Sequence, residues 1–233
     1  MSGILYGLGL GPGDPELVTV KAARILRSAK VIAYPVLENK DSFARRIAAE
    51  YISVGIEEIP IIIPMTIERL PAQKAYDNAA KKIAKVLGNG LDVVCLCEGD
   101  PFFYGSFMYL FARLSKLFTV DIIPGVTSLT ACAAVAKKPL LARNEHLTVI
   151  PGPLSSPELR KRIFEADTVV IMKVGRHLKR ISAVLKELEL EKKAIYVEHA
   201  TLENEYVCRV SEAPDQAPYF SMIIVTKVND PWL

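Results

Sequence analysis

Three short glycine-containing turns carry residue types that could bind a polar ligand. Residues 7–15 read GLGLGPGDP, residues 97–105 read CEGDPFFYG and residues 124–128 read PGVTS, and each turn ends or follows a short apolar run. Glycine admits a ligand close to the main chain, carboxylates accept hydrogen bonds, and the first N–H groups of a helix have no partner within it. Ligands of open α/β sheets bind outside the carboxyl ends of the strands. The three turns therefore predict a ligand-binding edge.

The first turn does not match the known nucleotide-binding patterns. The third glycine of G-x-G-x-x-G falls on Pro12 when counted from Gly7 and on Asp14 when counted from Gly9, where a carboxylate would repel a pyrophosphate. No G-x-x-x-x-G-K-[ST] pattern occurs in the chain, which excludes a P-loop. The turn is either a purely structural bend or a ligand-facing loop of another kind.

The other two turns also allow two interpretations each. In the second turn, Gly99 would let a ligand approach, Asp100 would accept hydrogen bonds, and Phe102 and Phe103 would form an apolar wall; a capped turn with core aromatics is the structural alternative. The third turn opens a helix of small residues predicted over 130–136. Small residues there suit both ligand binding and close packing.

The sequence does not support a metal site or covalent catalysis. The three histidines, His146, His177 and His199, are far apart and form no H-E-x-x-H pair, and no G-x-S-x-G elbow occurs. The cysteines lack the spacing of a zinc site or a disulfide framework. We expect them to be buried, reduced thiols; they are Cys95, Cys97, Cys132 and Cys208.

Composition and charge exclude several other classes of protein. The 233 residues include 51% hydrophobic residues and carry a net charge of only +3, which argues against a disordered chain and against one dedicated to nucleic acid. No basic segment precedes the short N-terminal apolar stretch, and the longest apolar run covers only residues 131–136, so we expect a cytoplasmic protein without a signal peptide or membrane span. Basic residues cluster at 45–46, 137–138, 160–162 and 176–180. They are either solvated helix faces or, taken together, a receptor for a small polyanion.

The elements that must position these turns alternate between strands and helices. Most strands are apolar on both faces, which is typical of a parallel sheet covered by helices; they are predicted at 3–10, 31–35, 56–62, 92–97, 119–123, 147–151, 168–172, 194–198, 206–210 and 221–227. The last three follow one another with only turns between them, which indicates antiparallel pairs. We therefore predict two α/β domains, 1–123 with a parallel sheet and 124–233 with a mixed sheet. Asp14-Pro15 and Ser156-Pro157 are predicted helix starts.

Taken together, the three turns resemble the tetrapyrrole (corrin/porphyrin) methylase family. The resemblance rests on GLGLGPGDPELVTVKAARIL, CEGDPFFYGSFMYL and IPGVTSLTACAA in this order, and it extends to MKVGRHLKRI at 172–181 and YVEHAT at 196–201. The stretches GDPFFYGSFMYL and MKVGRH are most similar to the members that methylate C20 of precorrin-2 or cobalt-factor II. The resemblance implies two α/β domains with S-adenosylmethionine folded into the cleft between them, and a homodimer.

The resemblance also implies which residues contact the cofactor. Those near its ribose and methionine parts are Pro12, Glu98, Gly99, Asp100, Phe103, Thr127 and Ser128. Those that frame its adenine are Met172, Ala200, Ser221 and Met222. The family pattern often has glycine or alanine where this chain has Glu98.

The implied reaction is methyl transfer from S-adenosylmethionine to an electron-rich carbon of a tetrapyrrole that carries several carboxylates, with S-adenosylhomocysteine as the product. Such a transfer depends on positioning and charge balance more than on an acid or a metal. Loss of the C20 proton calls for a base, for which Asp14, Glu98 and Tyr104 all stay open. The alternatives are a family member that acts on another tetrapyrrole, a protein or an RNA, and a non-catalytic metabolite-binding protein.

Overall fold

The computed structural model describes residues 2–38, 40–64 and 69–227, which form two compact units, Met1–Thr127 and Ser128–Leu233. In the first unit the strands are β1 Leu5–Gly9, β2 Val31–Leu37, β3 Glu57–Ile63, β4 Val93–Cys97 and β5 Val120–Ile123. Its helices are α1 Val20–Ser28, α2 Phe43–Ile47, α3 Arg69–Gly88 and α4 Phe107–Leu114.

The first sheet is entirely parallel and has the strand order β3-β2-β4-β1-β5. Alternate residues of β1 and β4 face opposite layers: Leu8 and Leu96 pack in the core that includes α1 and α2, whereas Leu5 and Cys95 pack with α3 and α4. The chain therefore leaves the neighbouring strands β1 and β4 toward opposite faces of the sheet. A crevice at the carboxyl ends of such a strand pair is where α/β sheets bind ligands.

The second unit contains a mixed five-stranded sheet. Its strands are β6 Leu147–Pro151, β7 Thr168–Met172, β8 Ala194–Glu198, β9 Tyr206–Arg209 and β10 Ser221–Thr226, and its helices are α5 Ser128–Val135, α6 Ser156–Glu165 and α7 Leu178–Glu187. The order is β6-β7-β10-β8-β9, with β6 and β7 parallel and the other neighbours antiparallel. Helices α6 and α7 cover one face, where they bury Leu159, Ile181 and Tyr196.

The predicted fold class, a parallel sheet followed by a mixed sheet, is confirmed, and all ten predicted strands are present. The last strand in the sequence, β10, lies between β7 and β8, so β9 is left at the sheet edge. Within the described ranges, none of the helices combines the length and the apolar character that crossing a bilayer requires.

Three predicted helix starts are displaced. Asp14 caps only a 3-10 turn, Pro15–Leu17, after which Val18 is extended and Thr19 caps α1 through a 3.2 Å hydrogen bond from the Ala22 N–H to its hydroxyl. The helix predicted to start at Ser156 is capped by Ser155. The helix predicted over 130–136 begins earlier, at Ser128. In each case another polar residue one to five positions away occupies the cap or the first turn.

We predict that Thr19→Ala lowers the free energy of unfolding by about 1 kcal/mol, because the Ala22 N–H loses its acceptor, while Thr19→Ser retains the bond and stability. Urea unfolding followed by circular dichroism measures both. An unchanged free energy of unfolding in Thr19→Ala, together with a decrease of about 1 kcal/mol in Asp14→Ala, would show that the helix starts at Asp14.

Candidate functional site

The loops that follow β1 and β4 are joined by main-chain hydrogen bonds. The Leu10 N–H donates to the Cys97 carbonyl at 2.9 Å, the Gly11 N–H donates to the Gly99 carbonyl at 3.2 Å, and the Gly99 N–H donates to the Gly11 carbonyl at 2.7 Å. Although the strands are parallel, Gly11 and Gly99 thus form an antiparallel bridge just beyond the carboxyl edge of the sheet. Both have positive φ, +79° and +64°, a conformation that glycine adopts without strain.

The loop that follows β5 comes into contact with the same bridge. A Cβ atom added to Gly125 would lie 2.1 Å from the Gly99 carbonyl oxygen and 2.9 Å from Cα of Gly9. Main chains at this distance leave no room for any side chain. Three strand-end loops, distant in sequence, therefore meet at one point of the carboxyl edge.

The carboxylate of Asp100 links two of these loops. Its Oδ1 accepts a hydrogen bond from the Phe102 N–H at 2.9 Å, and its Oδ2 accepts one from the Gly125 N–H at 3.1 Å. The sequence predicts that this carboxylate accepts hydrogen bonds from a ligand, and this stays a prediction: each oxygen has one main-chain donor and can accept a further hydrogen bond. These two hydrogen bonds connect the loop after β4 to the loop after β5.

The two phenylalanines of the second turn have different surroundings. Phe102 packs on Phe107 and Phe111 of α4, with ring centroids 6.2 and 5.1 Å away, so it belongs to an aromatic cluster on that helix. Phe103 is half-buried and makes an edge contact with Tyr104, with centroids 5.4 Å apart. Tyr104 has φ +56°, a left-handed conformation that bulky residues seldom adopt outside constrained sites.

Glu98 lies directly after β4, and the Ala44 N–H in the first turn of α2 donates a hydrogen bond to its carboxylate. Burial raises the pKa of Glu98, and the Ala44 hydrogen bond opposes this rise. The carboxylate of Asp14 also accepts a main-chain hydrogen bond, from the Glu16 N–H to its Oδ1 at 2.9 Å. Pro12 is half-buried in the loop that follows β1.

Two hydroxyl residues follow the β5 loop. Thr127 is the last residue of the first unit and Ser128 is the first residue of α5, and both are half-buried. The N–H groups at the start of α5 follow directly on the Gly125 turn, where the helix leaves its first donors available for polar groups.

The four residues predicted to frame an adenine lie at one edge of the second sheet. Met172 ends β7 and is in register with Met222 of β10, while Ser221 is in register with Glu198 at the end of β8, two residues before Ala200. Met172, Met222 and Ser221 are buried. This juxtaposition follows from the placement of β10 between β7 and β8.

Hydrogen bonds hold this edge in one conformation. The Ser221 hydroxyl donates to the Pro218 carbonyl at 2.7 Å and accepts from the Gly175 N–H at 3.3 Å. The Gly152 N–H donates to the Met172 carbonyl at 2.7 Å. Together these bonds join the ends of β6, β7 and β10.

A cluster of residues with strained backbone conformations lies at the same edge and has no signal in the sequence. Lys173, His199 and Thr201 all have positive φ, +57°, +51° and +70°. The His199 Nδ1 atom is buried and, among the described residues, has no hydrogen-bond partner. Such conformations persist only when the surrounding structure imposes them, and they gather at functional sites. Because none of the three is glycine, no residue type signals this strain in the sequence.

No group of three or more histidine, cysteine or acidic side chains in the described ranges is arranged to hold a metal ion. Cys95, Cys97 and Cys132 are buried, Cys208 is half-buried, and all four are free thiols. Burial raises the pKa of the Cys97 thiol to about 11, which makes it a poor nucleophile at neutral pH.

Comparison with known proteins gives a consistent result over the full chain. Residues 4–214 match the family model of Tetrapyrrole (Corrin/Porphyrin) Methylases. The chain is 37% identical to a precorrin-2 C(20)-methyltransferase from Sinorhizobium sp, over 99% of both chains. It is 33% identical to the cobalt-precorrin-2 C(20)-methyltransferase of Salmonella typhimurium, over 97% of this chain and 98% of the relative.

A solved structure supports the fold. The uroporphyrin-III C-methyl transferase from Thermus thermophilus, complexed with S-adenyl homocysteine, superimposes with a TM-score of 0.68 at 24% identity and covers 97% of this chain and 92% of its own. The family match and the full-length relatives confirm the resemblance drawn from the three strand-end turns: the chain belongs to the tetrapyrrole (corrin/porphyrin) methylase family.

Proposed function

We propose that this protein transfers a methyl group from S-adenosylmethionine to C20 of precorrin-2 or of cobalt-factor II in cobalamin biosynthesis. The observation that carries the proposal is full-length similarity, at 37% and 33% identity, to two relatives that are both named for methylation at C(20). Their names differ in the metal, precorrin-2 in one case and cobalt-precorrin-2 in the other. Both names specify C(20), and the labelling experiment below distinguishes the metal-free substrate from the cobalt substrate.

We also propose that the eleven residues assigned by resemblance bind the methyl donor. The chemistry of the two edges supports this. At the first edge the closely packed Gly99 and Gly125 loops offer main-chain groups for the ribose and amino-acid parts, together with the half-buried hydroxyl residue Ser128. At the second edge the buried Met172 and Met222 suit an apolar, planar base. The full set is Pro12, Glu98, Gly99, Asp100, Phe103, Thr127, Ser128, Met172, Ala200, Ser221 and Met222.

S-adenosylmethionine supplies a methyl group on a positively charged sulfur, which a carbon nucleophile attacks in line. In this transfer a C–CH3 bond forms at C20, the S–CH3 bond breaks with its electron pair moving to sulfur, and C20 then loses a proton. The protein's contribution is to hold the loops in a fixed geometry, because orientation is the main requirement of such a step. The carboxylates of Asp14 and Glu98 each accept a main-chain hydrogen bond, and we assign no base for the C20 proton.

We further propose a cytoplasmic homodimer, on the basis of the family resemblance and of the four free thiols. Light scattering that gives about twice the chain mass of 25.7 kDa would agree with the homodimer, and a single-chain mass would contradict it.

The reaction is tested by incubating the protein with methyl-labelled S-adenosylmethionine and either precorrin-2 or cobalt-factor II under anaerobic conditions. We expect one label per tetrapyrrole, located at C20 by carbon NMR, and the faster acceptor defines the natural substrate. Labelling at another carbon would keep the activity class and overturn the C20 assignment. Binding of S-adenosylmethionine without turnover on either acceptor would instead identify a non-catalytic binding protein.

The role of the loop geometry is tested with Asp100→Ala and Asp100→Asn. Asp100→Ala removes the acceptors of both the Phe102 N–H and the Gly125 N–H. Asp100→Asn keeps one oxygen and places an amide NH2 group, itself a donor, against the other N–H. A lost hydrogen bond to a charged group is worth about 1.5–3 kcal/mol, so we expect S-adenosylhomocysteine to bind at least about tenfold more weakly, measured by isothermal titration calorimetry.

The matched control is Asp92→Ala, because Asp92 lies at the opposite end of β4 and accepts a hydrogen bond from the Ile4 N–H at 2.7 Å. This variant loses a comparable bond far from the candidate site and should bind S-adenosylhomocysteine as the wild type does. Equal affinities in all the Asp100 and Asp92 variants would refute the role assigned to Asp100.

A further inference from the structure

Helix α2 is attached to the carboxyl edge of the first sheet beside the glycine bridge. The hydroxyl of Ser42, its N-cap residue, donates to the Pro35 carbonyl in β2 at 2.7 Å. The Glu98 carboxylate, at the end of β4, accepts from the Ala44 N–H in the first turn of α2. The helix start is thus tied to two neighbouring strand ends, one residue away from the Gly99 loop.

The two adjacent arginines of this helix are used differently. The Arg45 guanidinium donates to both carboxylate oxygens of Glu58 at 3.0 to 3.2 Å, and Glu58 also accepts from the Tyr34 hydroxyl at 2.7 Å. These contacts lower the pKa of Glu58. Arg45 is therefore committed to an internal ion pair that joins α2 to β3.

Arg46, in contrast, is exposed and lies over the half-buried Phe43 ring, with its Cζ atom 5.0 Å from the ring centroid. Among the residues that the structure describes, no carboxylate lies within ion-pair distance of Arg46, although the exposed acids Glu38 and Asp41 belong to the preceding turn. Stacking on an aromatic face restricts the guanidinium while its N–H edges stay available. A planar donor group held in this way is suited to bidentate binding of a carboxylate.

Several other arginines near the predicted basic clusters already have partners. Arg160 pairs with Glu187, and Arg180 donates to the Gly152 carbonyl at 2.6 Å and to the Leu154 carbonyl. Arg46 combines an available guanidinium and an aromatic support on a helix whose N-cap residue is bonded to β2.

We propose that Arg46, supported by Phe43 and carried on a helix whose N-cap Ser42 is bonded to Pro35 of β2, binds a carboxylate of the acidic tetrapyrrole substrate. The inference rests on the proposed function and extends it by naming a specificity-determining residue. Both the substrate and the methyl donor carry carboxylates, and the proposal assigns Arg46 to the substrate.

The test measures tetrapyrrole binding to the protein saturated with S-adenosylhomocysteine, by absorbance titration with precorrin-2 and, separately, with cobalt-factor II under anaerobic conditions, in wild type, Arg46→Gln and Arg46→Lys. Arg46→Gln should raise the Kd for the tetrapyrrole by about 5- to 30-fold, since a partly exposed charged hydrogen-bonded pair is lost. Arg46→Lys should have a smaller effect, because an ammonium group cannot bind in a bidentate way. The difference from wild type should shrink at high salt.

Two further variants separate this role from a general effect of charge. Arg27 in the last turn of α1 is also exposed, and its Cζ atom lies 5.4 Å from the centroid of the Tyr51 ring. Helix α1 ends at the amino edge of the sheet, however, so Arg27→Gln should bind the tetrapyrrole as the wild type does. Phe43→Leu keeps the charge of Arg46 and removes the ring that supports it. This variant should therefore show part of the loss of tetrapyrrole affinity that Arg46→Gln shows. Thermal unfolding monitors the fold of each variant.

The outcomes are distinct. Equal tetrapyrrole affinity in Arg46→Gln, Arg27→Gln and wild type overturns the inference and leaves the proposed function intact. Loss of S-adenosylhomocysteine affinity in Arg46→Gln also overturns it, because the residue would then act on the methyl donor. A wild-type protein that binds no tetrapyrrole overturns the proposed function and this inference with it.

Discussion

The main-chain pairing of Gly11 with Gly99 is the contact on which the candidate site depends. Parallel strands end with unpaired peptide groups, and here those of β1 and β4 are joined in an antiparallel bridge by two hydrogen bonds of 3.2 and 2.7 Å. The close approach of Gly125 to Gly99 adds the third loop. The Asp100 carboxylate then fixes two of these loops at once, through the Phe102 and Gly125 N–H groups. The loops consequently form one rigid edge, which is what a positioning enzyme requires.

The elements that could be predicted from the sequence are those with a strong local signal. Buried strands such as β4 and β7 are apolar on both faces and end at glycine or at a polar turn, so their positions and the parallel-then-mixed sheets followed directly. Helix starts are harder to predict because several nearby polar residues could each cap the helix. Asp14 and Thr19 are both good caps, and only the extended conformation at Val18 decides that the second one starts α1.

The site could be predicted only in part, because its chemistry depends on partners distant in sequence. Nothing near Asp100 indicates that its second acceptor bond comes from Gly125, 25 positions later. Arg45 and Arg46 are adjacent residues of the same type, and their contacts differ because β3 brings Glu58 beside Arg45. The positive φ of His199 depends on the pairing of β8 with β10, because its N–H donates a hydrogen bond to the carbonyl of Phe220, the residue before β10.

The most direct test of this account is a crystal structure of the protein with S-adenosylhomocysteine. The account predicts main-chain contacts from the Gly99 and Asp100 loop to the ribose or amino-acid part, with the hydrogen bonds of Asp100 to Phe102 and Gly125 intact. It also predicts the adenine against Met172, Ala200 and Met222. A ligand bound away from the Gly99 loop, or an Asp100 carboxylate that releases Gly125 to bind the ligand itself, would contradict the central claim.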